Sequence, residues 1–144
     1  DREFRVHKFI FAARSEVFAE VIKINLNADF LELHDIPIEI FECVLSYIYT
    51  DELPNTENIH EIFEAAGSLR ILGLMDLTEE LLMASIENEK NLDVLHTIFD
   101  LASKFERNEL KSKASEAIKE HFEKKMLKDE NDESYFVVVK LEES

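Results

Sequence analysis

Apolar and polar positions alternate at the start of the chain. Phe4 and Val6 are apolar, and Arg5 and His7 are polar, which is the period of a strand. Phe9, Ile10, Phe11, Ala12 and Ala13 then form a run that is apolar on every side. Such a run predicts a short buried helix, although periodicity alone leaves a strand open. Ser15 stands where an N-cap belongs, ahead of Val17, Phe18, Val21 and Ile22 at helical spacing. After a polar loop over residues 25–29, a second alternation predicts another short strand: Phe30, Leu31 and Leu33, with Glu32 and His34 between.

Helical spacing governs the rest. Asp35-Ile36-Pro37 is a helix-start signal, and Phe41, Leu45 and Ile48 recur behind it, with Val44 and Tyr49 widening the stripe. Residues 50–58 are polar and contain Pro54, which ends that helix. The next helix carries Ile59, Ile62, Phe63 and Ala66, and Gly67 and Gly73 bracket a break. Asp76 and Glu79 are spaced as a capping box before Leu77, Leu81 and Leu82. Asn91 opens a helix through Leu92, Leu95, Ile98, Phe99, Ala102 and Phe105. A last helix carries Leu110, Ala114, Ala117, Ile118 and Phe122. Residues 124–134 are charged enough for a solvated linker, and it runs into Tyr135-Phe136-Val137-Val138-Val139, a β-prone tail. The expected class is α+β at the front and all-α behind.

Composition narrows the function classes. The chain has 144 residues, 46% of them hydrophobic with 11 Phe, which is material for a core and excludes disorder. A net charge of −16 excludes ordinary backbone binding to nucleic acid and argues against anionic membrane surfaces. Two glycines leave nothing for a phosphate-cradling loop. A single cysteine, Cys43, excludes an internal disulfide and fits a reducing compartment, and no apolar run reaches a membrane span. The chain begins without Met and runs straight into patterned sequence, as a piece of a longer protein would.

No residue set carries catalytic chemistry. His7, His34, His60, His96 and His121 are scattered, none at zinc-ligand spacing, and no cofactor is expected. Cys43 lies mid-helix beside Val44 and Leu45 and reads as a small buried hydrophobe, with a nucleophile paired to His34 or His60 as the lesser alternative. Phe9, Phe11, Phe18, Phe41, Phe63 and Phe99 read as core. Lys104, Arg107, Lys111 and Lys113 are interleaved with acids and read as an exposed helix face stabilised by ion pairs.

Two blocks in register resemble a known family. Phe4-Arg5-Val6-His7-Lys8, the apolar run, Ala12-Ala13-Arg14-Ser15 and Phe18 resemble the front of a BTB (POZ) domain. Leu33-His34-Asp35-Ile36, then Phe41 to Asp51 with its Tyr47-Ile48-Tyr49-Thr50, is similar to that family's strand and following helix, and Ala65-Ala66, Leu69, Leu72 and Leu74 to its closing helices. The resemblance covers residues 1–87, without the family's N-terminal helix and first strand. Residues 88–126 resemble the three-box, or start of a BACK region, that follows BTB in speckle-type and kelch-type adaptors of cullin-3 ubiquitin ligases. Residues 127–144 form the linker and tail.

The resemblance implies a BTB/POZ fold, a helical cluster with a small sheet, and a non-catalytic intracellular adaptor, cytoplasmic or nuclear. It would bind cullin-3, self-associate, and hold substrate through a domain outside these residues. Family positions that contact cullin fall on Val21, Ile22, Leu26, Tyr49, Asn55 and Glu57, and those of self-association on Phe4 and Lys8. One departure bears on the partner: the apolar–any–Glu motif of many cullin binders is absent from Ile24-Asn25-Leu26-Asn27-Ala28-Asp29. A BTB domain used only for oligomerisation, in a transcriptional or scaffold protein, is the alternative.

Overall fold

The computed structural model describes residues 2–128, 133 and 136–142. Seven helices follow one another along them: α1 (Lys8–Arg14), α2 (Glu16–Ile24), α3 (Ile38–Thr50), α4 (Ile59–Leu69), α5 (Leu72–Ile86), α6 (Leu92–Lys104) and α7 (Asn108–Lys128). Their boundaries have local causes. The Ser15 hydroxyl accepts from the Phe18 N–H at 3.1 Å and caps α2, and the Asn91 carboxamide accepts from the Asp93 N–H at 2.9 Å and caps α6. Asp51 (φ 62°) ends α3 and Arg70 (φ 51°) ends α4, both in the left-handed region usually given to glycine. The α4–α5 break does fall between Gly67 and Gly73, but Arg70 makes it.

Two apolar clusters hold the helices together. The first gathers Phe11 of α1, Ile40, Val44 and Ile48 of α3, Ile62, Ala66 and Leu69 of α4, and Leu74 of α5. The second gathers Ile59 and Phe63 of α4, Leu82 and Ile86 of α5, Leu95 and Ile98 of α6, and Leu110 and Ala114 of α7. So α4 is buried over a wide face and belongs to both, while Leu53 and Phe105 pack against each. Gly67 lies in α4 where the Phe105 ring crosses it; a Cβ there would stand 2.5 Å from that ring.

Several expectations are corrected. No strand forms among the described residues: segments 2–7 and 29–37 are non-helical, but neither has the paired partner that a ladder needs. Val6 packs against the first cluster, and Phe4 meets Phe41 edge-on at 5.1 Å between ring centroids, so apolar alternation is satisfied by packing on helices. Phe9 is not core but 75% exposed. A seven-residue helix has one inward face, and Phe11 takes it. Asp76 and Glu79 cap nothing; they lie inside α5, because the Arg70 turn has already started that helix, and both face Arg107. The basic residues of α6 and α7 pair between helices instead of along one face: Lys104 with Glu64 and Lys113 with Glu87. Residues 124–128 are the end of α7, not linker, since a helix already propagating adds turns readily. Of the expected linker and tail, residues 129–132, 134, 135, 143 and 144 lie outside the described residues.

Candidate partner-binding surface

The start of α1 draws two distant elements together. His7 precedes the helix, and its backbone N–H donates to the Tyr49 hydroxyl oxygen at 3.1 Å, while its Nδ1 lies 3.0 Å from the same oxygen. One residue on, the Lys8 ammonium donates to the Leu26 carbonyl at 3.2 Å. The end of α3 and the loop after α2 are thereby pinned to a single point. Tyr49 is 45% exposed there, with its ring edge-on to the His7 ring, and Leu26 is exposed beside Lys8.

The other nominated positions divide. Val21 is half-buried, and Ile22, at 5% exposure, faces inward and offers no side-chain surface. Asn55 and Glu57 are exposed on the α3–α4 loop, where the Asn55 carboxamide oxygen accepts from the Glu57 N–H at 3.3 Å. Phe4 is half-buried against Phe41, with the Arg2 guanidinium 4.7 Å from its ring centroid, and Arg2 pairs with Glu42. Lys8 is half-buried by its bond to Leu26.

Further exposed apolar residues are ones the sequence pattern hid. Phe9, Ile10, Ile24, Phe30, Leu31 and Leu33 are large, apolar and exposed, all on the N-terminal elements. The signal available was geometric: a run apolar on every side cannot bury more than one face of a single turn or two. Such residues on one part of a surface mark interaction sites more often than chance does.

No chemistry of another kind competes with this surface among the described residues. No group of three or more His, Cys, Asp or Glu is placed to hold a metal ion. Cys43 is buried, and burial, then the Glu42 charge, pushes its thiol up, away from the reactive thiolate. A shallow open recess lined by Met83, Asn108, Ser112 and Lys113 encloses nothing. No helix is long and apolar enough to cross a membrane.

Comparison with known proteins agrees with this picture. A family model for the BTB/POZ domain matches residues 1–86. BTB/POZ and MATH domain-containing protein 3 of Arabidopsis thaliana is 40% identical over 88 residues, 59% of this chain and 20% of that protein. TD and POZ domain-containing protein 5 of Mus musculus is 30% identical over 118 residues, 78% of this chain and 34% of that protein. Zinc finger and BTB domain-containing protein 44 of Rattus norvegicus is 33% identical over 104 residues, 65% of this chain and 23% of that protein. The chain thus spans about a fifth to a third of the length of these relatives. With a BTB/POZ family model matching residues 1–86, more than half of the chain, the chain belongs to the BTB/POZ family of protein–protein interaction modules.

Proposed function

We propose that this chain is the adaptor part of a cullin-3-type ubiquitin ligase, joining a scaffold helix on one surface and a second copy of itself on another. The carrying observation is the pinning of Tyr49 and Leu26 to His7 and Lys8. An exposed aromatic held by its hydroxyl beside an exposed Leu is preorganised for an amphipathic helix, and binding then loses less side-chain freedom. Asn55 and Glu57 supply a polar rim, with Val21 at the edge. Ile22 supports the surface from beneath. Self-association would use Phe9 and Ile10 on the outer side of α1, with Phe4 and Lys8 fixing the approach to it.

In this reading α6 and α7 are the three-box, and substrate is held by a domain outside these residues. Similarity to proteins named for MATH or zinc-finger domains beside BTB supports that arrangement. Ubiquitin transfer would be promoted by proximity alone. Such an adaptor works in the cytoplasm or nucleus. A second reading, oligomerisation without cullin, is favoured by one observation: residues 24–29 lack the apolar–any–Glu motif.

Titration with the N-terminal domain of cullin-3 separates the two. Binding at or below tens of micromolar is expected, and Tyr49→Ala should weaken it about 30-fold in a chain that stays folded, with a melting temperature lowered only by the lost His7 contact. No binding in that range leaves the oligomerisation reading. Phe9→Asp should lower the mass measured by light scattering at matched concentration. An unchanged mass would remove α1 from the self-association surface.

A further inference from the structure

The segment Phe136–Leu141 lies beyond α7 and carries three consecutive valines centred on Val138. Val137 and Val139 flank that centre, and Phe136 and Lys140 lie one step further out. Phe136, Val137, Val138, Val139 and Leu141 are between 63% and 88% exposed, and none packs against either apolar cluster. Among the described residues the segment has no helix or strand of its own and makes no backbone bond beyond that from the Phe136 N–H to the Glu133 carbonyl. Three consecutive β-branched residues with an aromatic at one end are the composition of a strand without a sheet.

We propose that Phe136–Leu141 is a self-association element that pairs antiparallel with the same segment of a second copy, with the two-fold axis at Val138. The occupant follows from the pattern. In that register Val137 lies across Val139 at both ends of the pair. Phe136 lies across Lys140, where an ammonium meets the face of an aromatic ring. A shift of one residue in either direction breaks the Phe–Lys match and moves every side chain to the opposite face. The same register sets Glu133 opposite Glu143, and each copy carries a net charge of −16, so the pairing is opposed by like charge. It should therefore tighten as salt is raised. A ribbon of two short strands is marginal by itself in water, so it forms at high protein concentration. This element is separate in place and chemistry from Phe9 on α1, and a variant in one leaves the other intact.

Disulfide trapping in the full chain tests the register. Under mild oxidation, Val138→Cys should form a covalent dimer at least tenfold faster than Ile24→Cys, an equally exposed position. An equimolar mixture of Phe136→Cys and Lys140→Cys should give mostly the mixed dimer. The native Cys43 is buried and serves as the silent background. Val138→Pro removes the central N–H and should lower association of the otherwise unsubstituted chain at least fivefold in sedimentation, while Val138→Ile retains it. Because the segment contributes to neither core, both variants should melt as the parent does. Equal trapping at positions 138 and 24, homodimers of the 136 variant as abundant as mixed ones, or association indifferent to Val138→Pro would each overturn the proposal. So would association that weakens with added salt.

Discussion

Arg107, in the turn between α6 and α7, ties that turn to α5 through one side chain. Its Nη1 donates to Asp76 Oδ1 at 2.7 Å and to Glu79 Oε2 at 2.8 Å, and its Nη2 lies 3.6 Å from the Met75 sulfur. Both Arg107 and Glu79 are mostly withdrawn from solvent, with side chains 21% and 17% exposed. Burial pulls the Arg107 pKa down, but the bonds it donates to Asp76 and Glu79, with their charges, more than offset this and hold the group above its ordinary value. A cation raised in this way stabilises the fold at every pH below its unfolded value, and the gain is lost only as pH rises through the folded one. Arg107 therefore brings no pH dependence to stability near neutrality. Arg107→Met keeps the stem but strands Glu79, at a cost of about 1–3 kcal/mol in urea unfolding. Arg70→Met, which breaks the exposed pair with Glu16, should cost about 0–1 kcal/mol. Equal losses would show that the Arg107 clasp is an ordinary surface pair. The sequence could not reveal the clasp, because its partners lie 31 and 28 residues away and looked like a capping box.

At the scale of elements, Ser15 does two tasks. Its hydroxyl oxygen caps α2 by accepting from Phe18, and its proton goes to the Leu69 carbonyl at 2.6 Å, in a fully buried position. Leu69 is the last residue of α4, so its carbonyl has no partner within the helix, and a side chain from another element satisfies it. Nearby, the Glu16 N–H donates to the Arg70 carbonyl at 3.2 Å, and the α1–α2 hairpin is stitched to the end of α4. Ser15→Ala removes a cap, about 1 kcal/mol, and leaves a buried carbonyl unpaired, about 1–3 kcal/mol more. The expected loss in denaturant unfolding is about 2–4 kcal/mol, with faster amide exchange at the start of α2. A loss near 1 kcal/mol would mean that the cap alone matters. The capping half was legible from Ser15 ahead of the apolar stripe, and the carbonyl half was not.

The whole molecule is built around α4. Ile62, Ala66 and Leu69 face one apolar cluster, and Ile59 and Phe63 face the other, so adjacent faces of one helix serve both cores. The family match ends at residue 86, yet Leu82, Ile86, Ile59 and Phe63 are buried with α6 and α7 residues. Ending the chain at Lys90 would uncover those four side chains. At about 1.5–3 kcal/mol each, that is about 6–12 kcal/mol, comparable to the whole stability of a small domain. The shortened chain is expected to be aggregation-prone or unfolded by circular dichroism at 25 °C, while residues 1–144 melt in one cooperative transition. A shortened chain that melted as sharply as the parent would show that the second cluster is dispensable. The family boundary and the packing boundary are then different things.

By itself the sequence determined the ordering of helices after residue 35, because their apolar stripes, Pro54 and Asn91 are local signals that act within a turn or two. The likeness to BTB/POZ domains was also legible there, carried by two blocks in register. Tertiary structure alone decided the rest. Whether residues 4–7 and 30–34 become strands depends on a partner segment, and alternation cannot supply one. Which side of α1 is outside depends on what covers Phe11, so Phe9 could pass for core until its neighbours were placed. The contacts of Arg107, Tyr49 and Lys8 join positions 18 to 42 residues apart, a separation at which no periodicity survives. Local patterns fix what an element is; only packing fixes which of its faces is left for a partner.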